Sequence, residues 1–419
     1  MKKLIPLLLA LSLLFTGCTG KAGNDLMKNW EKPEEKKELI TIGHDVPDTF
    51  DPETDEPWEN ALIVDFGIRL FRESFEEGAN TLVSPMSVLT ALAMTANGAQ
   101  GETLTQMEGV LGQSTGALNS WYKYGTNYDD GQLHLANGIW FKENASFTPN
   151  QTFLQTNADC FGAGLYEAPF DNTTLQEINR FVEENTGGMI KDMLKEIPAD
   201  AVMYLVNALT LDAKWKEPYS GGDVHPATFT KTDGTRQDME LMWSEESLYY
   251  ENDLCTGFQK TYESKDRLAF VAVLPKEGVT METLLEGLEE MGLQQFLASV
   301  QRETVEAALP KFEAGSDVQM VELLKAMGMT DAFDSGKADF SGLGTSENGN
   351  IYLSQVIHKT FISVAEKGTK AGAATAVAAA EECAMEEVKR VVLNRPFLYM
   401  IVDISSNTPV FIGAQMDMA

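Results

Sequence analysis

The chain has 419 residues, of which 43% are hydrophobic, so it is long enough to bury a large core in one or two domains. Lys and Arg number 32 and Asp and Glu number 63, which gives a net charge of −31 at pH 7. Because so acidic a surface repels phosphate groups, we expect no nucleic acid or other polyanion among its partners.

The N-terminus has the pattern of an export signal. Lys2 and Lys3 precede an apolar run from Leu4 to Phe15, which is too short for a typical spanning helix, and Thr16-Gly17-Cys18 follows. The pair of small residues before Cys18 resembles a bacterial lipobox. We therefore expect residues 1–18 to be a lipoprotein signal peptide with its lipobox, and Cys18 to carry the lipid. An ordinary signal peptide that releases a soluble protein is the alternative.

Residues 19–57 are rich in Lys, Glu, Asp, Pro and Gly and have few apolar positions. This composition predicts a flexible, solvated tether. We expect one large domain over residues 58–419. The protein is then exported and either anchored by lipid at the bacterial cell surface or released outside the cell.

Within that domain the hydrophobic spacing predicts an irregular order of helices and strands, which favours the α+β class over a doubly wound sheet. The predicted helices are 59–77, one that begins after Ser84-Pro85, 175–194 and 279–297. The predicted strands are 133–141, 202–215, 268–275, 351–366, 396–403 and 409–416.

The motifs of enzyme chemistry are weak in this sequence. GQSTG, at 112–116, fits the Gly-x-Ser-x-Gly pattern of a hydrolase nucleophile, but the residues before it have a helical pattern rather than that of a strand. A helix-end loop is therefore the preferred interpretation of Ser114. No two histidines are close in the sequence, and we interpret His358 as a buried hydrogen-bonding residue. We expect no metal, no cofactor and no enzymatic activity.

Four widely separated cysteines, Cys18, Cys160, Cys255 and Cys383, do not form a disulfide framework or a CxxC metal motif. If lipid blocks the thiol of Cys18, an odd number of cysteines is left for pairing. We therefore expect at least one free thiol.

The segment from Glu366 to Arg390 begins with a charged turn and continues with small residues for a dozen positions. A surface helix is one interpretation, since alanine has a high helix propensity, but the segment lacks an apolar stripe that would hold a helix against a core. The other interpretation is a strand with one small, uncharged face, which could enter the middle of a sheet. That face would carry Thr369, Ala371, Ala373, Thr375, Val377 and Ala379.

Four separated blocks of this sequence resemble those of the serpin family, in the same order, from about Trp58 to the C-terminus. They are NTLVSPMSVLTALAMTANGAQGETLTQM, LVNALTLDAKWKEPY, EKGTKAGAATA and NRPFLYMIVDISSNTPVFIGAQM. The resemblance implies three β-sheets with about nine helices and an exposed reactive-centre loop.

The resemblance also implies roles for particular residues. Ser84, Ser87, Asn207 and His358 match the polar cluster beneath the main sheet that controls its opening, and Trp215 matches the tryptophan where the loop enters. The hinge of the loop would comprise Glu366, Gly368, Thr369, Ala371, Ala373, Ala374 and Thr375. The hinge departs mildly from the family pattern at Lys370 and Gly372.

As a serpin, the chain would be a metastable suicide-substrate inhibitor, and its partner would be a target protease held in a covalent acyl complex. The family spacing from Glu366 places the cleaved bond at Glu382–Cys383, with Ala384 and Met385 as alternates. No Lys or Arg occurs from Ala371 to Val388, which argues against trypsin-like targets. Elastase-like, Glu-preferring, subtilisin-like and papain-like proteases stay open. We expect a monomer.

Three rival functions predict different behaviour. A non-inhibitory serpin would act as a binding or chaperone-like surface protein. An exported hydrolase would lose its activity when Ser114 is replaced by Ala. A lipid-anchored ligand-binding protein would bind reversibly and form no covalent adduct.

Overall fold

A computed structural model describes residues 24–25, 55–125, 132–142, 147–198, 201, 203–263, 267–347, 349–369 and 388–418. Helices and strands follow one another in these residues without a regular strand–helix–strand repeat, and the strands form several separate sheets. The α+β class predicted from the sequence is confirmed.

Nine α-helices lie in the described part of the chain. Several begin after a Ser, Thr, Asn or Asp whose side-chain oxygen accepts a backbone hydrogen bond from the first turn. The helices are α1 (Asn60–Ser74), α2 (Pro85–Ala96), α3 (Gly101–Leu111), α4 (Thr115–Ser120), α5 (Gln151–Phe161), α6 (Asn172–Asn185), α7 (Met281–Met291), α8 (Leu293–Ala298) and α9 (Val321–Ala326). None of these helices is long and apolar enough to cross a membrane.

The strands are mostly buried on at least one face. In chain order they are β1 (Asn24–Asp25), β2 (Thr81–Val83), β3 (Leu133–Lys142), β4 (Phe147–Pro149), β5 (Gly164–Ala168), β6 (Met203–Leu211), β7 (Ala213–Lys214), β8 (Val224–Thr230), β9 (Arg236–Glu246), β10 (Tyr249–Glu251), β11 (Cys255–Thr261), β12 (Leu268–Pro275), β13 (Val305–Pro310), β14 (Phe312–Gln319), β15 (Gly344–Ser346), β16 (Ile357–Ala365), β17 (Gly368–Thr369), β18 (Lys389–Val392), β19 (Phe397–Asp403) and β20 (Thr408–Gln415).

The main sheet consists of two blocks of hydrogen-bonded strands, in the orders β1-β5-β3-β6 and β14-β16-β17-β7. The strand β7 continues β6 after a break at Asp212, so the two blocks share one long strand. Below β17, β6 and β16 run side by side, but the described residues form no ladder of backbone hydrogen bonds between them. The main sheet therefore has a lengthwise break in its backbone pairing, which we call the opening. Its upper end is at β17 and its lower end is near Met203 and Ile357.

Three further sheets complete the fold. They have the strand orders β10-β11-β12-β19-β20-β2, β18-β13-β9-β8 and β15-β4. A large apolar core joins these sheets to α1, α2 and the inner face of the main sheet. A second apolar cluster, which includes Trp140, Ile178 and Val206, lies on the outer face of the main sheet under α6.

Most of the predicted elements are confirmed. The helix predicted at 59–77 is α1, and the helix predicted after Ser84-Pro85 is α2, with Ser84 as its N-cap. The strands predicted at 133–141, 268–275, 396–403 and 409–416 are β3, β12, β19 and β20. The strand predicted at 202–215 is present as β6 and β7.

Three predicted elements have wrong boundaries, and glycine explains two of them. The helix predicted to reach residue 194 ends at Asn185, because Gly187 and Gly188 adopt positive φ angles of 59° and 75°. The helix predicted at 279–297 is broken at Gly292, which has φ of 83°. The strand predicted at 351–366 begins only at Ile357, and residues 351–356 instead line the lower end of the opening.

Candidate functional site

The opening in the main sheet is the feature that could accept another part of the chain. Its lower end contains a cavity of about 310 Å³, lined by Met203, Leu205 and Asn207 from β6 and by Val356 and Ile357 from the other side. Backbone N–H and C=O groups of two strand edges face this gap, and such groups pair readily with an added strand. A further strand could therefore pair with both edges once β6 and β16 separate.

Its upper end is already occupied by the start of the hinge. Gly368 and Thr369 form β17, in which Thr369 lies opposite Ala213 of β7 on one side and Val364 of β16 on the other. The Thr369 side chain is completely buried, and its hydroxyl lies 2.7 Å from that of Tyr262. Burial raises the pKa of the Tyr262 phenol, which stays neutral. The first two strand residues of the hinge are thus built into the main sheet.

Glycine is required at position 368 by both conformation and space. Its φ of 149° is one that residues with a side chain rarely adopt, and an added Cβ would lie 2.1 Å from the carbonyl oxygen of Ala213. The close approach of β17 to β7 is therefore the physical reason for a glycine at position 368.

An ion pair lies beside the hinge at Glu366. The Lys311 ammonium is 2.7 Å from the Glu366 carboxylate and 2.6 Å from that of Glu240. The hydrogen bond from Lys311 lowers the pKa of Glu366, and the two carboxylates together raise the pKa of Lys311. Because all three side chains are partly exposed, we expect this cluster to orient Glu366 rather than to add much stability.

Trp215 and Tyr219 hold the backbone of the turn that leads into β17. The backbone N–H of Trp215 donates to the carbonyl of Lys367, and its indole Nε1–H donates to the carbonyl of Ala365, both at 2.8 Å. The backbone N–H of Tyr219 donates to the carbonyl of Glu366, also at 2.8 Å. The structure therefore places Trp215 where the hinge enters the sheet.

The Trp215 ring is itself fixed by aromatic packing. It stacks on Tyr262 with ring centroids 4.4 Å apart and an interplanar angle of 10°. Tyr262 is also the residue that contacts Thr369. One aromatic pair thus supports both the turn before the hinge and the first buried hinge side chain.

The structure brings together the four predicted polar residues beneath the main sheet. The Ser84 backbone N–H donates to Nε2 of His358 at 3.0 Å, and the Ser84 hydroxyl donates to the carbonyl of Val410 at 2.8 Å. The Ser87 hydroxyl donates to the Asn207 side-chain carbonyl. All four polar side chains are at least nine-tenths buried. They link α2 to strands on both sides of the opening, since Asn207 is on β6 and His358 is on β16.

Burial keeps His358 neutral. It lowers the pKa of the imidazole to about 3, so that Nε2 is free of a proton and accepts from Ser84. The interpretation of His358 as a buried hydrogen-bonding residue is confirmed.

Sequence reasoning missed one member of this network, Asn137. The side-chain amide of Asn207 donates to the Asn137 side-chain carbonyl at 2.6 Å, and Asn137 donates in turn to the carbonyl of Phe161 at 3.0 Å. Asn137 lies directly opposite Asn207 in the pairing of β3 with β6. A polar residue at an inward position of an otherwise apolar strand was the signal that could have identified it.

Several predicted site residues lie outside the described part of the chain. They are the lipidation site Cys18, the hinge residues Ala371, Ala373, Ala374 and Thr375, and the residues at or near the cleaved bond, Glu382, Cys383, Ala384 and Met385.

Ser114 has a structural role in the described residues. It is the N-cap of α4, where its oxygen accepts from the backbone N–H of Ala117 at 3.1 Å, and its hydroxyl donates to the carboxylate of Glu56. The residue follows helix α3 and Gly112, which ends that helix with a φ of 81°. A nucleophile on a strand-to-helix turn needs a different local structure.

Two of the four cysteines can be placed, and both are free thiols. Cys160 is half-buried and Cys255 is buried. Burial raises the pKa of Cys160 to about 11 and that of Cys255 to about 12, so neither thiol is activated. The prediction of at least one free thiol is confirmed. In the part of the chain that the structure describes, no group of three or more His, Cys, Asp or Glu side chains is arranged to hold a metal ion.

Comparison with known proteins gives a consistent result. A family model described as "Serpin (serine protease inhibitor)" matches residues 61–418. A serpin-like protein of Thermococcus kodakarensis is 29% identical over 431 residues, which cover 100% of this chain and 99% of that protein. Human serpin B9 is 29% identical over 368 residues, which cover 83% of this chain and 96% of that protein.

Solved structures agree with these matches. The native state of tengpin, a thermophilic serpin, has a TM-score of 0.80 and 42% sequence identity, with 87% of this chain and 96% of that chain covered. The latent state of tengpin has a TM-score of 0.76 and the same identity, with 87% and 100% covered.

Proposed function

The chain belongs to the serpin family, and from that premise we propose that it is a suicide-substrate inhibitor of serine proteases, with cysteine proteases as a further target class. Serpins are generally protease inhibitors and not enzymes. The observation that supports inhibition in this chain is the position of the hinge. It has entered the upper end of an opening that runs between β6 and β16.

The register of β17 specifies where the rest of the hinge would go. Each further residue of an inserted strand pairs with the preceding residue of β6 and of β16. Ala371 would then lie opposite Leu211 and Ile362, and Ala373 opposite Leu209 and Thr360. Those four neighbours are buried. Side chains that face them must be small and uncharged, as Ala371 and Ala373 are.

The same register brings Thr375 to the polar cluster. Two residues below Ala373, it would lie between Asn207 and His358. A hydroxyl at that position could hydrogen-bond to polar groups that are already buried. The inward positions of the hinge, which are all small and uncharged, thus fall beside buried neighbours along the opening.

The chemistry proceeds as in serpins generally. The protease nucleophile attacks the carbonyl of the cleaved bond, and an ester, or a thioester for a cysteine protease, links it to the new C-terminus of the loop while the C-terminal segment leaves. Insertion of the loop as a strand then carries the protease away from the loop's original position before water hydrolyses the ester.

The energy available from insertion is large enough to drive this step. A strand of about 12 residues gains hydrogen bonds on both edges at roughly 0.5 to 1.5 kcal/mol each, or on the order of 10 kcal/mol in all. This free energy is comparable to the stability of a whole domain. A native state in which the loop is not inserted is therefore kinetically trapped.

The target class follows from the loop sequence. We propose cleavage at Glu382–Cys383, with Ala384 and Met385 as alternate positions, by an elastase-like or subtilisin-like protease. A trypsin-like protease would find no Lys or Arg between Ala371 and Val388.

We further propose that the inhibitor is a monomer held at the cell surface by lipid on Cys18. The sequence pattern of residues 1–18 supports the lipid anchor. Metabolic labelling with a radioactive fatty acid would test it. Label on the wild-type chain but not on a Cys18→Ala variant is the expected result, and an unlabelled wild-type chain would refute it.

A non-inhibitory serpin is the second candidate function. The features that favour it are Lys370 and Gly372, which depart from the usual hinge pattern. In the projected register Lys370 lies opposite Asp212 and Ser363, both half-exposed, so its charge would face away from the core. We therefore favour inhibition.

Incubation with a panel of serine and cysteine proteases tests the function. We expect an adduct of inhibitor and protease that survives denaturing electrophoresis, together with a released peptide whose mass identifies the cleaved bond. Cleavage of the loop by every protease without any adduct would contradict inhibition and would favour the non-inhibitory alternative.

A further inference from the structure

A buried lysine stands beside the hinge without taking part in the steps described above. Lys260, on β11, is only 3% exposed, and its ammonium lies 2.7 Å from the carboxylate of Glu246. A buried ammonium is costly unless it is well paired, so its presence in an apolar core calls for a reason.

The Lys260 ammonium contacts the same two aromatic residues that hold the hinge backbone. It lies 4.4 Å from the ring centroid of Tyr219 and 5.7 Å from that of Trp215. At these distances the positive charge is attracted to the face of each ring. Moving either ring away would leave the ammonium less well stabilised in its buried position.

The partner of Lys260 fixes Tyr219 from the other end. The Ser244 hydroxyl lies 2.7 Å from the Glu246 carboxylate and 3.4 Å from the Tyr219 hydroxyl. Tyr219 is therefore held at its ring by Lys260 and at its hydroxyl by Ser244. These contacts form one buried unit, which we call the hinge support, of Lys260, Glu246, Ser244, Tyr219 and Trp215.

The hinge support is connected directly to the turn that precedes β17. Tyr219 and Trp215 donate all three of the hydrogen bonds described above to the carbonyls of residues 365–367. If the loop is to enter the opening, β6 and β16 must separate, and these bonds tie the chain that follows β7 to the end of β16. A support that holds both donors rigidly raises the barrier to this movement.

Building on the loop insertion proposed above, we propose that Lys260 is a positioning residue that slows entry of the uncleaved loop into the main sheet. It acts through Tyr219 and Trp215 and touches neither the loop nor a protease. It thereby prolongs the lifetime of the active state, because a loop that inserts before cleavage is no longer available to a protease.

The test measures spontaneous insertion in the full-length, uncleaved protein. Wild type and Lys260→Met are incubated below their unfolding temperatures, and the inserted monomer is counted by its resistance to urea. We expect Lys260→Met to convert at least about tenfold faster, which corresponds to a barrier lowered by about 1.4 kcal/mol. Lys260→Arg, which keeps the charge, should convert at close to the wild-type rate.

A matched control separates positioning from general loss of stability. Leu284→Ala removes a buried side chain from α7, which packs against α1, and should lower the melting temperature without touching the hinge support. If Lys260→Met converts no faster than Leu284→Ala after adjustment for melting temperature, Lys260 has only a structural role. Failure of the wild-type protein to trap any protease would refute the proposed inhibitor, whereas the conversion rates test Lys260 without a protease.

Discussion

The hydroxyl of Thr369 lies 2.7 Å from the hydroxyl of Tyr262, and both side chains are completely buried. This contact ties the first buried side chain of the hinge to the aromatic residue on which Trp215 stacks. It shows that the hinge begins inside the main sheet, so that further insertion would extend an existing strand.

Removal of the Tyr262 hydroxyl should weaken this attachment. Tyr262→Phe leaves the buried hydroxyl of Thr369 without its partner, and we expect a loss of about 1 to 3 kcal/mol from the native state. The midpoint of urea unfolding measures the loss. In the double variant with Thr369→Val no unpaired hydroxyl is left, so it should recover part of the stability. Equal stability of Tyr262→Phe and wild type would show that the contact contributes little.

A charge on the inward face of the hinge should prevent trapping. Thr369→Arg would place a guanidinium between Ala213 and Val364, where no water can solvate it, so the cleaved loop could not complete insertion. We expect cleaved inhibitor and free protease in place of the covalent adduct, as measured by the ratio of the two bands on a denaturing gel. Ala373→Glu should have the same effect. Lys370→Glu is the control, because residue 370 would face outward, and it should still trap.

A methyl group at position 368 should exclude β17 from the sheet. Gly368→Ala combines an unfavourable φ with a Cβ that would lie 2.1 Å from the Ala213 carbonyl oxygen. We expect a loss of about 2 to 5 kcal/mol, measured by urea unfolding. Gly278→Ala is the matched control, since its φ is 83° but no atom lies within 4 Å of the added Cβ. It should cost about 1 kcal/mol. Equal losses in the two variants would contradict the close approach of β17 to β7.

His358 should make the native state sensitive to mild acid. Its pKa is about 3 in the folded protein, below the value of 6.5 expected of an exposed histidine. As the pH falls below 6.5, His358 binds a proton in the unfolded chain but stays neutral in the folded protein. The stability present above pH 6.5 is therefore lost progressively toward pH 3, at up to about 1.4 kcal/mol per pH unit.

Urea unfolding between pH 7 and pH 5 tests this dependence, because the carboxylates stay largely ionised in that range. His358→Gln keeps an acceptor for the Ser84 N–H and should flatten the pH dependence. His225→Gln changes an exposed histidine on β8 and should leave it intact. An unchanged slope in His358→Gln would mean that another group takes up the proton.

The fold could be predicted well where local sequence determines local structure. The apolar spacing of α1 and the Ser-Pro start of α2 gave both helices, and the apolar runs of β12 and β19 gave buried strands. The boundary errors arose where single residues override a hydrophobic pattern. Gly292 interrupts a pattern that is apolar on both sides of it, and its positive φ cannot be read from periodicity.

The candidate site could be predicted only in part, because its key property is that β6 and β16 lie side by side without backbone hydrogen bonds. Family resemblance identified the polar cluster and Trp215, but nothing in the sequences of β6 and β16 indicates that these neighbouring strands are unpaired. The burial of Lys260 was equally hidden, since the sequence alone does not show that Glu246, Trp215 and Tyr219 surround it. Such long-range contacts depend on the complete tertiary structure.

The melting temperature of the protein before and after cleavage of its loop tests the central claim most directly. If the cleaved loop fills the opening between β6 and β16, the gain of about 10 kcal/mol should raise the melting temperature by about 10 °C or more. A cleaved protein that melts at the same temperature as the intact one would show that the opening stays unfilled, and would contradict the proposed mechanism of inhibition.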